Sequence, residues 1–270
     1  MTILQAIILG IVQGATEFLP ISSSGHLVLL PHLLGWNIPS DQAFIFDVWV
    51  QLGTLMAVII YFWKELFWIT YSTISSIWNP SHRSRPEVRL GGLILLATVP
   101  AVIAGVLLKD WVEAAFSNPV MTAFFLLVTA MMLVFAERVG QRNMKLDKMT
   151  WRDALWIGFF QIVSLFPGVS RSGATITGGM LRNLERRQAA RFSFLMSVPV
   201  MIGAAVYTGF DLIQVNNQLA FAGQILAGFI TSAVIGYIAI RWLIVYLSEN
   251  PLYLFSIYLV VISALILIFT

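Results

Sequence analysis

The chain has 270 residues, 59% of them hydrophobic and 11% charged, with a mean hydropathy of +0.85. A water-soluble domain runs to roughly 25% charged residues, so this balance excludes one and points to a polytopic membrane protein. The net charge of +3 and a pI near 9.3 do not indicate a nucleic-acid partner, because the cations fall where membrane topology calls for them, as set out below. With no cysteine, neither a disulfide nor a cysteine-ligated metal is available. No cleavable signal is expected either. The first apolar run starts at Ile3 with no basic segment before it and no Ala-x-Ala site after it.

Taken in chain order, the sequence opens with two short helices, Ile3–Thr16 and Ser24–Leu34, joined by a Gly/Ser/Pro turn. The first covers about 14 residues, or ~21 Å, against a hydrocarbon core of ~30 Å. Neither helix spans, and together they predict a re-entrant hairpin. Phe44–Trp63 is the first full span. Ile69–Ile77 is short and rich in Ser and Thr, which predicts an interfacial helix. Leu90–Leu108 and Val120–Ala136 are the next two spans. Trp151–Leu165 and Ser172–Leu184 repeat the short pair, and Ala189–Gly209, Phe221–Ile240 and Leu252–Phe269 complete the set. The expectation is an all-α membrane protein with six transmembrane helices and two re-entrant helical hairpins. It forms a single integral membrane domain, with repeat one at about 1–140 and repeat two at about 150–270.

The charges support this layout. With the N-terminus outside, the outer loops are about 35–43, 109–118 and 210–220. They hold Asp41, Lys109, Asp110, Glu113 and Asp211, so only one cation. Of the 16 Lys and Arg residues, all but Lys109 and Arg171 lie in inner segments, from Lys64 to Arg241, as the positive-inside rule requires. Each half is one hairpin plus three spans. Three is odd, so the second half is inverted relative to the first, and the two hairpin tips should meet near the midplane.

The two turns are near copies. Gly10, Gln13, Phe18, Ser22, Ser24 and Gly25 align without a gap with Gly158, Gln161, Phe166, Ser170, Ser172 and Gly173, at an offset of 148. Glu17 and Arg171 are the charged residues expected deep in the membrane, one at each tip. An ionisable group there costs ~2.5–3.5 kcal/mol on insertion scales. A structural ion pair alone would not need Ser22, Ser23, Ser24, His26, Ser170, Ser172 and Thr175 around it. Serine-rich turns that open helices present N–H groups and hydroxyls to anions, and Arg171 suits bidentate phosphate recognition. Glu17 suits a general base, an orienter of His26, or a ligand if a divalent cation is present. His26 lies one turn beyond the serines and is read as catalytic. His82 is read as solvated and His32 as interfacial. Gln13 and Gln161 either brace the hairpins or reach the substrate. Gln51 is placed to line a cavity, with Asp47 at its entrance or simply at a helix end. Gly178 and Gly179 permit close helix packing, and the nine Trp residues anchor the interfaces.

These residues carry a resemblance. Gln13-Gly-Ala-Thr-Glu17 is similar to a Glu/Gln-x-x-x-Glu signature. Pro167-Gly168-Val169-Ser170-Arg171-Ser172-Gly173-Ala174-Thr175 is similar to Pro-Gly-x-Ser-Arg-Ser-x-x-Thr. With Ser22-Ser23-Ser24-Gly25-His26, Val50-Gln51-Leu52-Gly53 and Phe192-Ser193-Phe194, they resemble the bacterial undecaprenyl-diphosphate phosphatases associated with bacitracin resistance, over essentially the whole chain. The resemblance implies a hydrolase of the cytoplasmic membrane, with its active site open to the outer face. Such an enzyme removes the terminal phosphate of undecaprenyl diphosphate, so that the carrier returns to cell-wall (peptidoglycan) synthesis. It implies interleaved inverted repeats and assistance by a divalent cation such as Mg2+ or Ca2+, with Glu17 as ligand. Gln at position 13 weakens a two-carboxylate metal scheme.

The expected catalytic residues are Glu17, Ser23, His26 and Arg171, with Ser23, His26 or a water as the attacking group. The expected substrate-binding residues are Gln13, Ser22, Ser24, Gln51, Gly168, Ser170, Ser172, Gly173 and Thr175. The partners are the polyprenyl diphosphate and membrane lipids, and the oligomeric state is open, a homodimer included. A type-2 phosphatidate phosphatase would need a second histidine after its Ser-Arg pair, and none follows Arg171. A flippase or transporter of an anionic prenyl phosphate fits the repeat plan but would release no phosphate in detergent.

Overall fold

The computed structural model describes residues 1–108, 111–112, 119–214 and 221–269. Lys109, Asp110 and Glu113 of the expected outer loops lie outside the described residues, as do the side chains of Asp41 and Asp211. Among the described residues there are eleven α-helices and no strand: α1 Ile3–Phe18, α2 Ser23–Leu33, α3 Ser40–Tyr61, α4 Trp63–Trp78, α5 Pro86–Leu107, α6 Pro119–Val139, α7 Trp151–Val163, α8 Arg171–Leu181, α9 Arg186–Gln214, α10 Ala222–Glu249 and α11 Tyr253–Phe269.

Five of these, α3, α5, α6, α9 and α10, are long and apolar enough to cross a membrane. The last, α11, has 17 residues, or ~25 Å at 1.5 Å per residue, the lower limit for a crossing. The expected interfacial helix is longer than the sequence suggested. α4 begins at Trp63 rather than Ile69, because the chain leaves helical geometry only at Phe62, with φ −101° and ψ 19°. Its Trp63, Phe67, Trp68 and Tyr71 side chains are exposed, while Ile69, Ser72 and Ser76 pack inward, so the helix is one-sided.

The short helices are positioned by glycine. α1 lies along α10, and α7 lies along α5. A Cβ at Gly10 would meet the Gly228 carbonyl oxygen at 2.8 Å, and one at Gly158 would run into the Ala97 carbonyl. These aligned glycines let each hairpin's first arm press against a long helix of the other half. The termini show where each pair opens. The Met1 amino group donates to Gln42 Oε1 at 2.9 Å, and Gln224 Nε2 donates to the Met1 carbonyl at 3.3 Å. The start of α1 therefore sits with the starts of α3 and α10. In contrast, Arg182, just past α8, is ion-paired to Asp153 at the start of α7, so the second pair closes on itself at its own base. Burial acts to raise the Asp153 carboxyl. Hydrogen bonds from the Thr150 hydroxyl and N–H, together with the Arg182 guanidinium, outweigh it and hold the group below the usual carboxylate range.

The end of the bundle away from Met1, where Arg182 and Asp153 also lie, is tied by charge. Glu137, with a side chain 1% exposed, accepts from Arg142 Nη1 at 2.6 Å, from Arg186 Nε at 2.7 Å and Nη2 at 2.6 Å, and from the Leu252 N–H at 2.9 Å. One carboxylate thus joins the end of α6, the start of α9 and the α10–α11 turn. Arg191 pairs with Glu65 at 2.8 Å, and Arg89 donates to the Asp147 and Met149 carbonyls. Cations that the sequence assigned to inner segments therefore gather at one end. Glu137→Gln leaves two part-buried guanidiniums without a counter-charge. We expect a loss of about 2–3 kcal/mol of stability, read as a lower unfolding temperature in detergent.

Candidate active site

The tips of the two short-helix pairs meet. Ser172 Oγ donates to the Leu19 carbonyl at 3.0 Å, and Arg171 Nη2 donates to Glu17 Oε1 at 2.7 Å. Both side chains of that pair are mostly buried, Arg171 14% and Glu17 12% exposed. The other carboxylate oxygen, Glu17 Oε2, accepts from Ser23 Oγ at 2.7 Å and from Gln13 Nε2 at 3.1 Å. The sequence offset of 148 sets Ser23 opposite Arg171, each the first residue of its second arm. Glu17 therefore receives the two equivalent positions, one on each oxygen. Its own equivalent is the apolar Leu165, so only one tip carries an acid.

The serines fix the turns. Ser22 Oγ and Ser24 Oγ are 3.2 Å apart, and Ser170 Oγ and Ser172 Oγ are 3.0 Å apart, the same bond in both copies. Ser170 also caps α8, accepting from the Gly173 N–H at 3.1 Å. Ser22 holds a φ of 68°, a conformation that costs a non-glycine residue about 1–3 kcal/mol. Its carbonyl is engaged by His26 Nδ1 at 2.7 Å. Gly168, with φ 91°, is at a position where a Cβ would strike the Thr122 carbonyl.

Gln13, Glu17, Ser23 and Arg171 form one hydrogen-bonded cluster. His26 is not bonded to Glu17: its Nε2 lies 2.7 Å from Tyr258 Oη on α11. Thr175 commits its hydroxyl to the Arg171 carbonyl at 2.8 Å and to Ser193 Oγ at 2.6 Å, bracing α8 against α9. Gln51 stands off from the cluster. It lines a narrow cleft between α3 and α9, with Val48, Leu52, Leu55, Met201, Ala205 and Thr208. Met201 Sδ is 3.9 Å from Arg171 Nη2, so one wall of the cleft touches the guanidinium. His82 bonds to Ser75 Oγ at 2.9 Å, away from the site.

Three contacts were not anticipated. Thr54 Oγ1 lies 3.5 Å from Gln13 Nε2; its position one turn after Gln51 was the available signal. Thr129 Oγ1 accepts from the Ser170 N–H at 3.1 Å. Tyr258 sits in an apolar run with nothing local to mark it.

Two buried polar atoms at the cluster have no hydrogen-bond partner among the described residues, Arg171 Nη1 and Gln13 Oε1. A buried guanidinium nitrogen with no acceptor is costly to leave so, and an anion is one group that would satisfy it. No three His, Asp or Glu side chains converge among the described residues. The site therefore has no all-protein metal cage, only the Glu17 carboxylate and the Gln13 amide oxygen. Mg2+ is commonly held by one or two carboxylates together with substrate phosphates, and this donor set fits that mode.

The fold is that of a polytopic helical membrane protein, with a buried acid, serine and arginine where its two turns meet. The family model described as bacitracin resistance protein BacA matches residues 6–265. The chain is 41% identical to the undecaprenyl-diphosphatase of Chloroherpeton thalassium, over 99% of this chain and 96% of that one. It is 42% identical to the enzyme of that name from Moorella thermoacetica, over 98% and 97%, and 39% identical to that from Corynebacterium glutamicum, over 94% and 86%. The chain belongs to the bacitracin resistance protein BacA family.

Gly168→Ala is expected to undock the second tip, since both the positive φ and the Thr122 carbonyl oppose a side chain. The check is a fall in the yield of monodisperse protein and in unfolding temperature. Gly203→Ala, in open space, serves as the neutral comparison.

Proposed function

We propose that the protein hydrolyses the terminal phosphate of undecaprenyl diphosphate, giving undecaprenyl phosphate and inorganic phosphate. The observation that carries this is the Glu17 carboxylate, set between a serine hydroxyl and a guanidinium whose second nitrogen awaits an anion. Family membership and the relatives' named activity support it.

Arg171 Nη1, with the N–H groups opening α8, receives the diphosphate oxygens and stabilises the charge on the phosphoryl group in flight, while Ser170 and Ser172 hold the turn that presents them. Ser22, Ser24, Gly168 and Gly173 shape the two turns around it. Ser23 Oγ, already donating to Glu17 Oε2, gives up its proton to that carboxylate. Oγ bonds to the terminal phosphorus while the bridging P–O bond breaks, and undecaprenyl phosphate leaves as the anion. Water, giving a proton to His26, then attacks the phosphorus, and the Ser23 O–P bond breaks as Oγ takes its proton back from Glu17, releasing phosphate. A divalent cation, where bound, would be held by Glu17, the Gln13 amide oxygen and the substrate's own oxygens, and would supply charge neutralisation. The cleft lined by Gln51 offers the approach to Arg171, and Thr175 holds the arginine's backbone against α9.

The membrane arrangement follows from the same reading. α3, α5, α6, α9, α10 and α11 span. α1–α2 and α7–α8 are re-entrant hairpins of an inverted repeat, entering from opposite faces of the bacterial cytoplasmic membrane. The Arg182–Asp153 closure and the Met1–Gln42 contact support opposite entries. The cation-rich end faces the cytoplasm, and the active site opens outward.

Purified protein in detergent should release phosphate from a prenyl diphosphate. Glu17→Gln and Arg171→Ala should each lower kcat by about a hundredfold or more while remaining monodisperse. Wild-type rates in both would refute the assignment. Phosphoenzyme trapped during turnover should carry its label on Ser23, and Ser23→Ala should abolish it.

A further inference from the structure

His26 is held at both ring nitrogens. Nδ1 lies 2.7 Å from the Ser22 carbonyl oxygen, which only accepts, so Nδ1 carries the proton. In the neutral ring Nε2 is then the lone-pair nitrogen. It lies 2.7 Å from Tyr258 Oη, so the tyrosine hydroxyl donates to it. The two rings are near parallel, 8° apart in plane with centroids 5.7 Å apart. The contact joins α2 to the last helix, α11. The repeat does not require it: the residue equivalent to His26 in the second hairpin is Ala174, which is fully buried. The polar contact belongs to the hairpin that carries Glu17 and Ser23. Ser23 and His26 are three residues apart on α2, so their side chains leave the helix as neighbours.

We propose that Tyr258 is a positioning residue, holding the His26 ring in the tautomer with Nε2 as its basic nitrogen and fixing its orientation one turn from Ser23 on α2. Its effect on turnover rests on the phosphatase reading, whereas the contact itself does not. Tyr258 touches no reacting atom in this arrangement and acts through the imidazole.

The test uses full-length protein in detergent with 15N-labelled histidine, the His26 signals being assigned by their loss in His26→Gln. In the wild type, His26 should show a protonated Nδ1 and a hydrogen-bonded Nε2. Tyr258→Phe should move the Nε2 resonance towards that of an unbonded lone pair. 3-Fluorotyrosine at position 258, a stronger donor that keeps the shape, should move it the opposite way. With prenyl diphosphate as substrate, Tyr258→Phe should lower kcat about tenfold with KM unchanged, and should cause no further loss in a His26→Gln background. An Nε2 resonance unmoved by either change, or losses that multiply in the double variant, would overturn the proposal. If the wild type releases no phosphate, the phosphatase reading fails, and the resonances still decide whether the contact exists.

Discussion

A carboxylate and a guanidinium inside an apolar bundle have one stable arrangement, which is against each other. Glu17 and Arg171 are far apart in sequence and meet at 2.7 Å. Each alone would leave an uncompensated charge away from water, at a cost of several kcal/mol. Their contact therefore constrains both turns at once. It requires that the two short-helix pairs end at the same depth, that each turn be capped by its own serines, and that the first arms lie close enough to their neighbours for the tips to touch. Gly10 and Gly158 supply that closeness, and the Ser172 bond to the Leu19 carbonyl locks the junction.

The same pair is useful because it is incomplete. Arg171 gives Nη2 to Glu17, and its buried Nη1 has no hydrogen-bond partner among the described residues. Glu17 in turn accepts the Ser23 hydroxyl. On the proposed mechanism these are a nucleophile bonded to its base and a donor left for the substrate's phosphate. A structural ion pair with all its donors satisfied would offer neither. The scaffold's own charges are treated differently. Glu137 saturates its acceptors with Arg142, Arg186 and the Leu252 N–H, leaving nothing for a ligand.

Much of this was legible in the chain. A lone acid and a lone arginine in apolar surroundings are conspicuous, and the offset of 148 paired their turns. Short helices flanking Gly/Ser/Pro breaks were correctly placed, within a few residues. What escaped notice depended on contacts between distant segments. Nothing local marks Tyr258, because its partner is 232 residues away. Nothing in the sequence around Glu137 marks it either. Its role appears only when the α9 start and the α10–α11 turn are brought beside it. The start of α4 was misplaced because Phe62 interrupts the helix without a glycine or proline to mark the break. Orienting His26 was one of three roles open to Glu17; His26 instead meets the Ser22 carbonyl and Tyr258, and Glu17 accepts from Arg171, Ser23 and Gln13.

The central claim is that one anion is held between the two tips. An experimental structure with a non-hydrolysable methylene-bridged prenyl diphosphate tests it directly. The account predicts the terminal phosphate within hydrogen-bonding distance of the Arg171 guanidinium, with Ser23 Oγ facing its phosphorus and Glu17 retained on the serine. A phosphate bound elsewhere, or Glu17 and Arg171 separated and turned toward lipid, would contradict it.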